Sequence, residues 1–181
     1  INFSITFFYQ IIFLEKFFIF DLDSLQNNDL FSLLILIYGY FFLGLYDDKF
    51  HLNPLKRISF SVLIILVAIL LNKDLLIDNF TLTFFEKRIF FENFSLIFSI
   101  FCILILVNSL NFYDGINGQS CLIFLVFFTY LSIISGFNFF YLICVMLIFL
   151  IMLLNLKNML FLGDGGIYLL GIILSASLIY E

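Results

Sequence analysis

Long apolar runs, broken in only a few places by polar residues, leave this chain few folds to choose from. Six runs are read along it: Ile1–Phe20, Leu30–Tyr46, Ile58–Leu71, Phe94–Leu110, Cys121–Ser135 and Phe139–Leu154. A seventh, Ile167–Tyr180, is cut off by the end of the chain. Runs of this kind are long enough to cross a hydrocarbon core of ~30 Å as helices. In lipid every backbone N–H and C=O must be paired within the segment, which selects helix over an open sheet. The expected fold class is therefore all-α, a polytopic transmembrane helical bundle, with residues 1–181 forming one integral membrane domain of six to seven spans. Glu15-Lys16 lie inside the first run, which reads as a partial span or a segment lying in the interface. Ile58–Leu71 is short and needs flanking residues or local thinning of the bilayer.

Composition narrows the function classes. The chain is 64% hydrophobic with a mean hydropathy of +1.21, far above a soluble domain. Its net charge is −5 and its eight basic residues form no tract, which argues against a nucleic-acid partner. Cys102, Cys121 and Cys144 all lie in apolar runs without metal-ligand spacing and read as packing or lipid-facing residues. With His51 the only histidine, a His-rich metal site is excluded within this chain.

The loops alternate in charge. The loop after Tyr46 carries Lys49, Lys56 and Arg57, whereas Asp21–Asp29 holds three acids and no Lys or Arg. The positive-inside rule then places Asp47–Arg57 in the cytoplasm. Parity puts 72–93 outside, 111–120 inside, 136–138 outside and 155–166 inside. Lys73, Lys87 and Arg88 in the outer 72–93 loop run against this assignment. Within that loop, Ile77–Phe85 alternates enough to form a short strand or interfacial hairpin.

Three polar patches fall on the cytoplasmic side: Asp47-Asp48, the run Asn108–Gly118, and Phe161–Gly166. Carboxylates at a membrane boundary are costly unless they do chemistry or hold a cation. Four acids with amides and glycines suit a Mg²⁺-dependent site for a phosphate substrate. Asp47 and Asp48 could bind metal or divide into base and ligand, or be a solvated acidic helix end. Lys49, His51, Lys56 and Arg57 could meet substrate phosphates or anchor to lipid headgroups. Asn111, Asp114 and Asn117 recur every three residues and would share one face if helical; the alternative is an Asn/Gly turn. Asp164, between glycines just before a span, could sit where a helix N-terminus favours phosphate, or in a plain polar turn.

The three patches also resemble, in order and spacing, the motifs of the polyprenyl-phosphate N-acetylhexosamine-1-phosphate transferases. Gly44-Leu-Tyr-Asp47-Asp48 with Pro54 and Lys56 is similar to that family's aspartate pair followed by a leucine, a proline and a lysine. Asn108–Gly118 looks like its Asn-x-x-Asn-x-x-Asp-Gly-x-Asn/Asp-Gly element, and Phe161-Leu-Gly-Asp164-Gly-Gly like its Phe-Leu/Met-Gly-Asp-x-Gly-Ser element. The resemblance implies transfer of an N-acetylated sugar 1-phosphate from a UDP-sugar to polyprenyl phosphate at the inner bacterial membrane, with release of UMP. It implies Mg²⁺ as cofactor, Asp164 as its ligand, Asp47, Asp48 and Asp114 as catalytic groups, and Lys56, Asn111 and Asn117 as substrate contacts. The lipid bilayer is the other partner, and the class admits a homodimer.

Departures accompany the likeness. Gln119 and Ile167 replace the usual apolar and small hydroxyl residues, and neither an upstream Pro-x-x-Gly-Gly element nor a downstream His-rich loop is present. The chain reads as a piece, truncated at both ends, of a protein with about ten or eleven spans. The wording from Asn111 to Gly118 lies closer to transferases of O-antigen type than to the peptidoglycan branch. The competing class is a non-catalytic membrane protein, such as a transporter subunit or a degenerate relative; transport predicts acids at mid-membrane depth.

Overall fold

A computed structural model describes residues 27–82, 87–113 and 118–181. The expected first run, Ile1–Phe20, therefore lies outside the described residues. Within them are six α-helices: α1 Asn27–Phe50, α2 Pro54–Leu71, α3 Ser95–Phe112, α4 Gln119–Ile134, α5 Phe139–Leu156 and α6 Gly163–Tyr180. All but α4 are long and apolar enough to cross a membrane. The all-α polytopic bundle is the observed architecture.

Helix boundaries move outward from the apolar runs. Helix α2 starts at Pro54, not Ile58, because Asn53 caps it: its Oδ1 accepts from the Leu55 N–H at 3.2 Å. Pro54 then sits at the first helical position, where its missing N–H costs nothing. This cap makes α2 an 18-residue span and leaves the 16-residue α4 as the short helix. Likewise α1 runs past Asp47-Asp48 to Phe50, and His51 at φ 50° turns the chain toward α2.

Helix α6 is the centre of the bundle. Half of its residues are buried, against a third or fewer in every other span. Its Tyr168 and Ile172 pack with Leu36, Tyr40 and Val107 from α1 and α3, while Ile167 and Leu174 pack with Phe124, Phe128 and Ile148 from α4 and α5. Glycines and serines along α6 let its neighbours approach closely, the usual device where lipid supplies no hydrophobic drive between helices. Large side chains such as Phe42, Leu63, Phe101 and Met146 point outward and are exposed, as a lipid-facing surface requires.

Of the Ile77–Phe85 stretch, expected as a short strand or hairpin, residues 79–82 form a strand, and its partner lies beyond that stretch. Strands β1 Asn79–Leu82 and β2 Lys87–Phe90 pair antiparallel, with Asn79 opposite Phe90. Ser95 Oγ donates to Asp78 Oδ1 at 2.6 Å and Ser99 Oγ accepts from Ile77 N–H at 2.7 Å, which ties the hairpin root to α3. At the same end of the bundle, Asn72 Nδ2 donates to Tyr180 Oη at 2.8 Å. The described motif residues lie at the opposite end.

Candidate active site

Helix α6 begins without a cap of its own, because Leu162 at its N-cap position has no side-chain oxygen to accept the first orphan N–H groups. Asp48, at the end of α1, supplies what is missing. Its Oδ1 accepts from Asp164 N–H at 2.9 Å and its Oδ2 from Gly165 N–H at 3.1 Å. A carboxylate at this position also meets the positive end of the α6 dipole. A side chain of the protein itself thus brings one negative charge to this helix N-terminus. Asp164 sits in the first turn of α6 rather than in a turn ahead of it.

The close approach depends on glycine. A Cβ on Gly44 would lie 2.6 Å from Gly165 Cα and 2.7 Å from the Asp164 carbonyl oxygen, so α1 and α6 touch backbone to backbone here. Gly163 adopts φ 64°, where an L side chain is strained, and a Cβ there would come within 3.0 Å of Asp48 Oδ2.

Asp47 has a different environment. It is buried, its Oδ1 accepts from Leu52 N–H at 2.8 Å, and its Oδ2 pairs with Arg57 Nη1 at 3.1 Å. The two adjacent acids therefore have different hydrogen-bond partners. Arg57 ties the start of α2 to the end of α1. Its Nε is buried without a hydrogen-bond partner among the described residues. Lys56 is exposed one residue earlier.

Asn111, in the last turn of α3, donates from Nδ2 to Tyr168 Oη at 3.3 Å. Helix α3 ends at Phe112, and Asp114 and Asn117 lie outside the described residues. Gly118, at φ 81°, opens α4, and its N–H is bonded to Asn155 Oδ1. Asn155, buried at the end of α5, also donates from Nδ2 to the Leu160 carbonyl at 2.9 Å. One amide thus staples the loop of the second motif to the loop leading into the third.

Residues 30–181 match the model of glycosyl transferase family 4. The chain belongs to that family. Membership implies transfer of a phospho-sugar to a polyprenyl phosphate, from a sugar-nucleotide substrate, in a membrane setting. It makes the protein a glycosyl-phosphotransferase, and family members generally depend on a divalent metal. No curated protein and no solved structure matches the chain.

The donor chemistry fits such a metal. Asp48 and Asp164 place hard carboxylates on two touching helix ends. No group of three His, Cys, Asp or Glu that could hold a metal occurs among the described residues. Mg²⁺ in phosphoryl-transfer sites commonly takes only one or two carboxylates, with phosphates and waters completing the shell. Among the described residues, no Asp, Glu, Lys or Arg lies in the middle turns of a spanning helix.

Two contributors escaped the sequence reading. Tyr168 lies one turn after Asp164 in what reads as a plain apolar span, and Asn155 closes a strongly apolar run. The spacing of Tyr168 from Asp164, i to i+4, was the one available signal that they share a face.

Proposed function

We propose that the protein transfers an N-acetylated sugar 1-phosphate from a UDP-sugar to polyprenyl (undecaprenyl) phosphate on the cytoplasmic face of the bacterial plasma membrane, releasing UMP and starting a cell-envelope glycan. The observation that carries this reading is the meeting of motif residues at one end of the bundle, with Asp48 bonded to the first turn of the helix that bears Asp164. A membrane-bound acceptor and a water-soluble donor can meet only at such a boundary.

In the reaction an oxygen of the lipid phosphate attacks the β-phosphorus of the UDP-sugar. A new P–O bond forms, the bond from that phosphorus to the bridging oxygen breaks, and the electron pair leaves with UMP. Catalysis of this kind is mainly positioning and charge stabilisation. Asp48 and Asp164 are the residues that would hold Mg²⁺, which when bound supplies neutralisation of the diphosphate and of the leaving phosphate. Lys56 meets the acceptor phosphate, and Asn111, Asp114 and Asn117 serve the nucleotide side. Asp47 acts by holding Arg57, and Tyr168 by holding Asn111. The site end bears Lys49, Lys56, Arg57 and Lys157, against Lys73, Lys87 and Arg88 at the other end, a narrow margin that favours the site end inside.

The test uses membranes containing the protein, undecaprenyl phosphate, Mg²⁺ and UDP-GlcNAc labelled in the sugar. Labelled lipid with an equal yield of UMP is expected. Release of UDP in place of UMP, or labelling that ignores added lipid phosphate, would overturn the assignment.

A further inference from the structure

Two buried polar atoms on facing helices have no hydrogen-bond partner among the described residues: Tyr40 Oη on α1 and Arg57 Nε on α2. The Tyr40 side chain is 0% exposed. It precedes Asp47 by about two helical turns, so it shares that residue's face of α1 at roughly 10 Å greater depth. A hydroxyl in such surroundings is expensive to leave unpaired.

The neighbours of these two atoms are polar as well. Ser61, one turn after Arg57 on α2 and also buried, stands across from Tyr40, within interaction range but outside hydrogen-bond geometry. The Tyr168 ring of α6 meets the Tyr40 ring edge to face, with centroids 5.9 Å apart and planes at 87°. Tyr168 also lies in the field of Arg57. Its Oη accepts from Asn111, a bond that does not use its own proton. Three helices thus bring four polar side chains together in an interior otherwise filled by residues such as Leu43 and Ile65.

The donor and acceptor inventory selects what can join them. Arg57 Nε–H can only donate, whereas the hydroxyls of Tyr40 and Ser61 can do either. One water accepts from Nε–H and donates to Tyr40 Oη, with Ser61 and Tyr168 as further partners. Two to four such partners are what a buried water needs. An ion is a poor match, because Asp47 already balances the charge of Arg57.

We propose that this junction of α1, α2 and α6 is a binding site for one structural water, which bridges Arg57 Nε to Tyr40 Oη. The water holds the guanidinium on its Nε side while Asp47 holds it on its Nη1 side at 3.1 Å. Tyr40, from outside the three motifs, is then a positioning residue for the ion pair. The inference does not depend on which sugar or lipid the protein uses.

The first measurement is radiolytic hydroxyl labelling of the protein in lipid nanodiscs, in ¹⁸O water. Tyr40 should take up label, because a buried ring is modified only by a water held against it. Phe124, also 0% exposed but without a polar atom, should not. The second is a double-mutant cycle read by melting temperature. Tyr40→Phe removes only the hydroxyl and should lower the melting temperature by about 3 °C, the scale of one lost hydrogen bond in a chain of this size. Arg57→Lys keeps the charge facing Asp47 but removes Nε, and in that background Tyr40→Phe should have little further effect. An unlabelled Tyr40 would overturn the proposal even if Tyr40→Phe did not fold. So would an unchanged or raised melting temperature for Tyr40→Phe, since deleting a dry, unpaired hydroxyl relieves a cost. An equal loss in both backgrounds would place the partner of Tyr40 elsewhere and remove the bridge.

Discussion

Asp47 and Asp48 are chain neighbours with separate roles, because successive residues on a helix diverge by about 100°. Asp47 faces α2 and ends in a buried ion pair, and Asp48 faces α6 and caps it. Removing one member of a buried pair leaves the other charge uncompensated, at a cost of about 3 kcal/mol. Asp47→Leu should therefore lower the thermal stability of the solubilised protein, and adding Arg57→Met should restore much of it. Equal melting of Asp47→Leu and the double variant would show that the pair is not what holds α1 to α2. Asp164→Asn should leave the fold intact and weaken the apparent affinity for Mg²⁺, so that raised Mg²⁺ partly restores the rate. A Mg²⁺ titration of initial rates checks this; an unchanged half-saturating concentration would assign the metal elsewhere.

At the level of elements, the site is made by helix ends held at fixed distance. Gly44 and Gly165 set the crossing of α1 and α6. An added methyl at Gly44 meets backbone, which cannot yield locally, whereas one at Gly165 meets first the Cδ2 of Leu45 at 2.9 Å. Gly44→Ala should cost roughly 2 kcal/mol and most of the activity, and Gly165→Ala less of both. Comparable melting points and rates for the two would contradict the order. Asn155 works in the same way on loops. Asn155→Ala strands the Gly118 N–H and the Leu160 carbonyl, and should cost about 2 kcal/mol while reducing transfer. Asn155→Ser, which keeps an acceptor but is too short to bridge both loops, should not rescue the rate.

For the whole molecule, the alternation of helices brings the ends of α1, α3 and α5 and the starts of α2, α4 and α6 to one pole. The hairpin and the Asn72–Tyr180 bond lie at the other. A cysteine at exposed Lys157 should label from the cytoplasmic side and one at exposed Asn79 from outside, in a background lacking Cys102, Cys121 and Cys144. Labelling of both positions from one side would break the two-pole arrangement, and labelling of 157 from outside would invert the orientation.

The helical class was legible in the sequence because hydrocarbon leaves the backbone no other way to pair its polar groups over such long apolar runs. The first strand of the hairpin was legible from its alternation, and the family from three ordered motifs. Each of these is a local property, carried by residues close together in the chain. Which oxygen meets which N–H was not local. Asp48 and Asp164 are 116 residues apart, Asn111 and Tyr168 57 apart, and Gly118 and Asn155 37 apart. The packing of α6 against α1 and α3, and of α4 against α5, decides those pairs. The capping of α6 by a carboxylate from α1, the division of labour within the aspartate pair, and the staple formed by Asn155 belong to the tertiary structure, because each needs two helix ends brought within hydrogen-bond reach by contacts far from the motifs themselves.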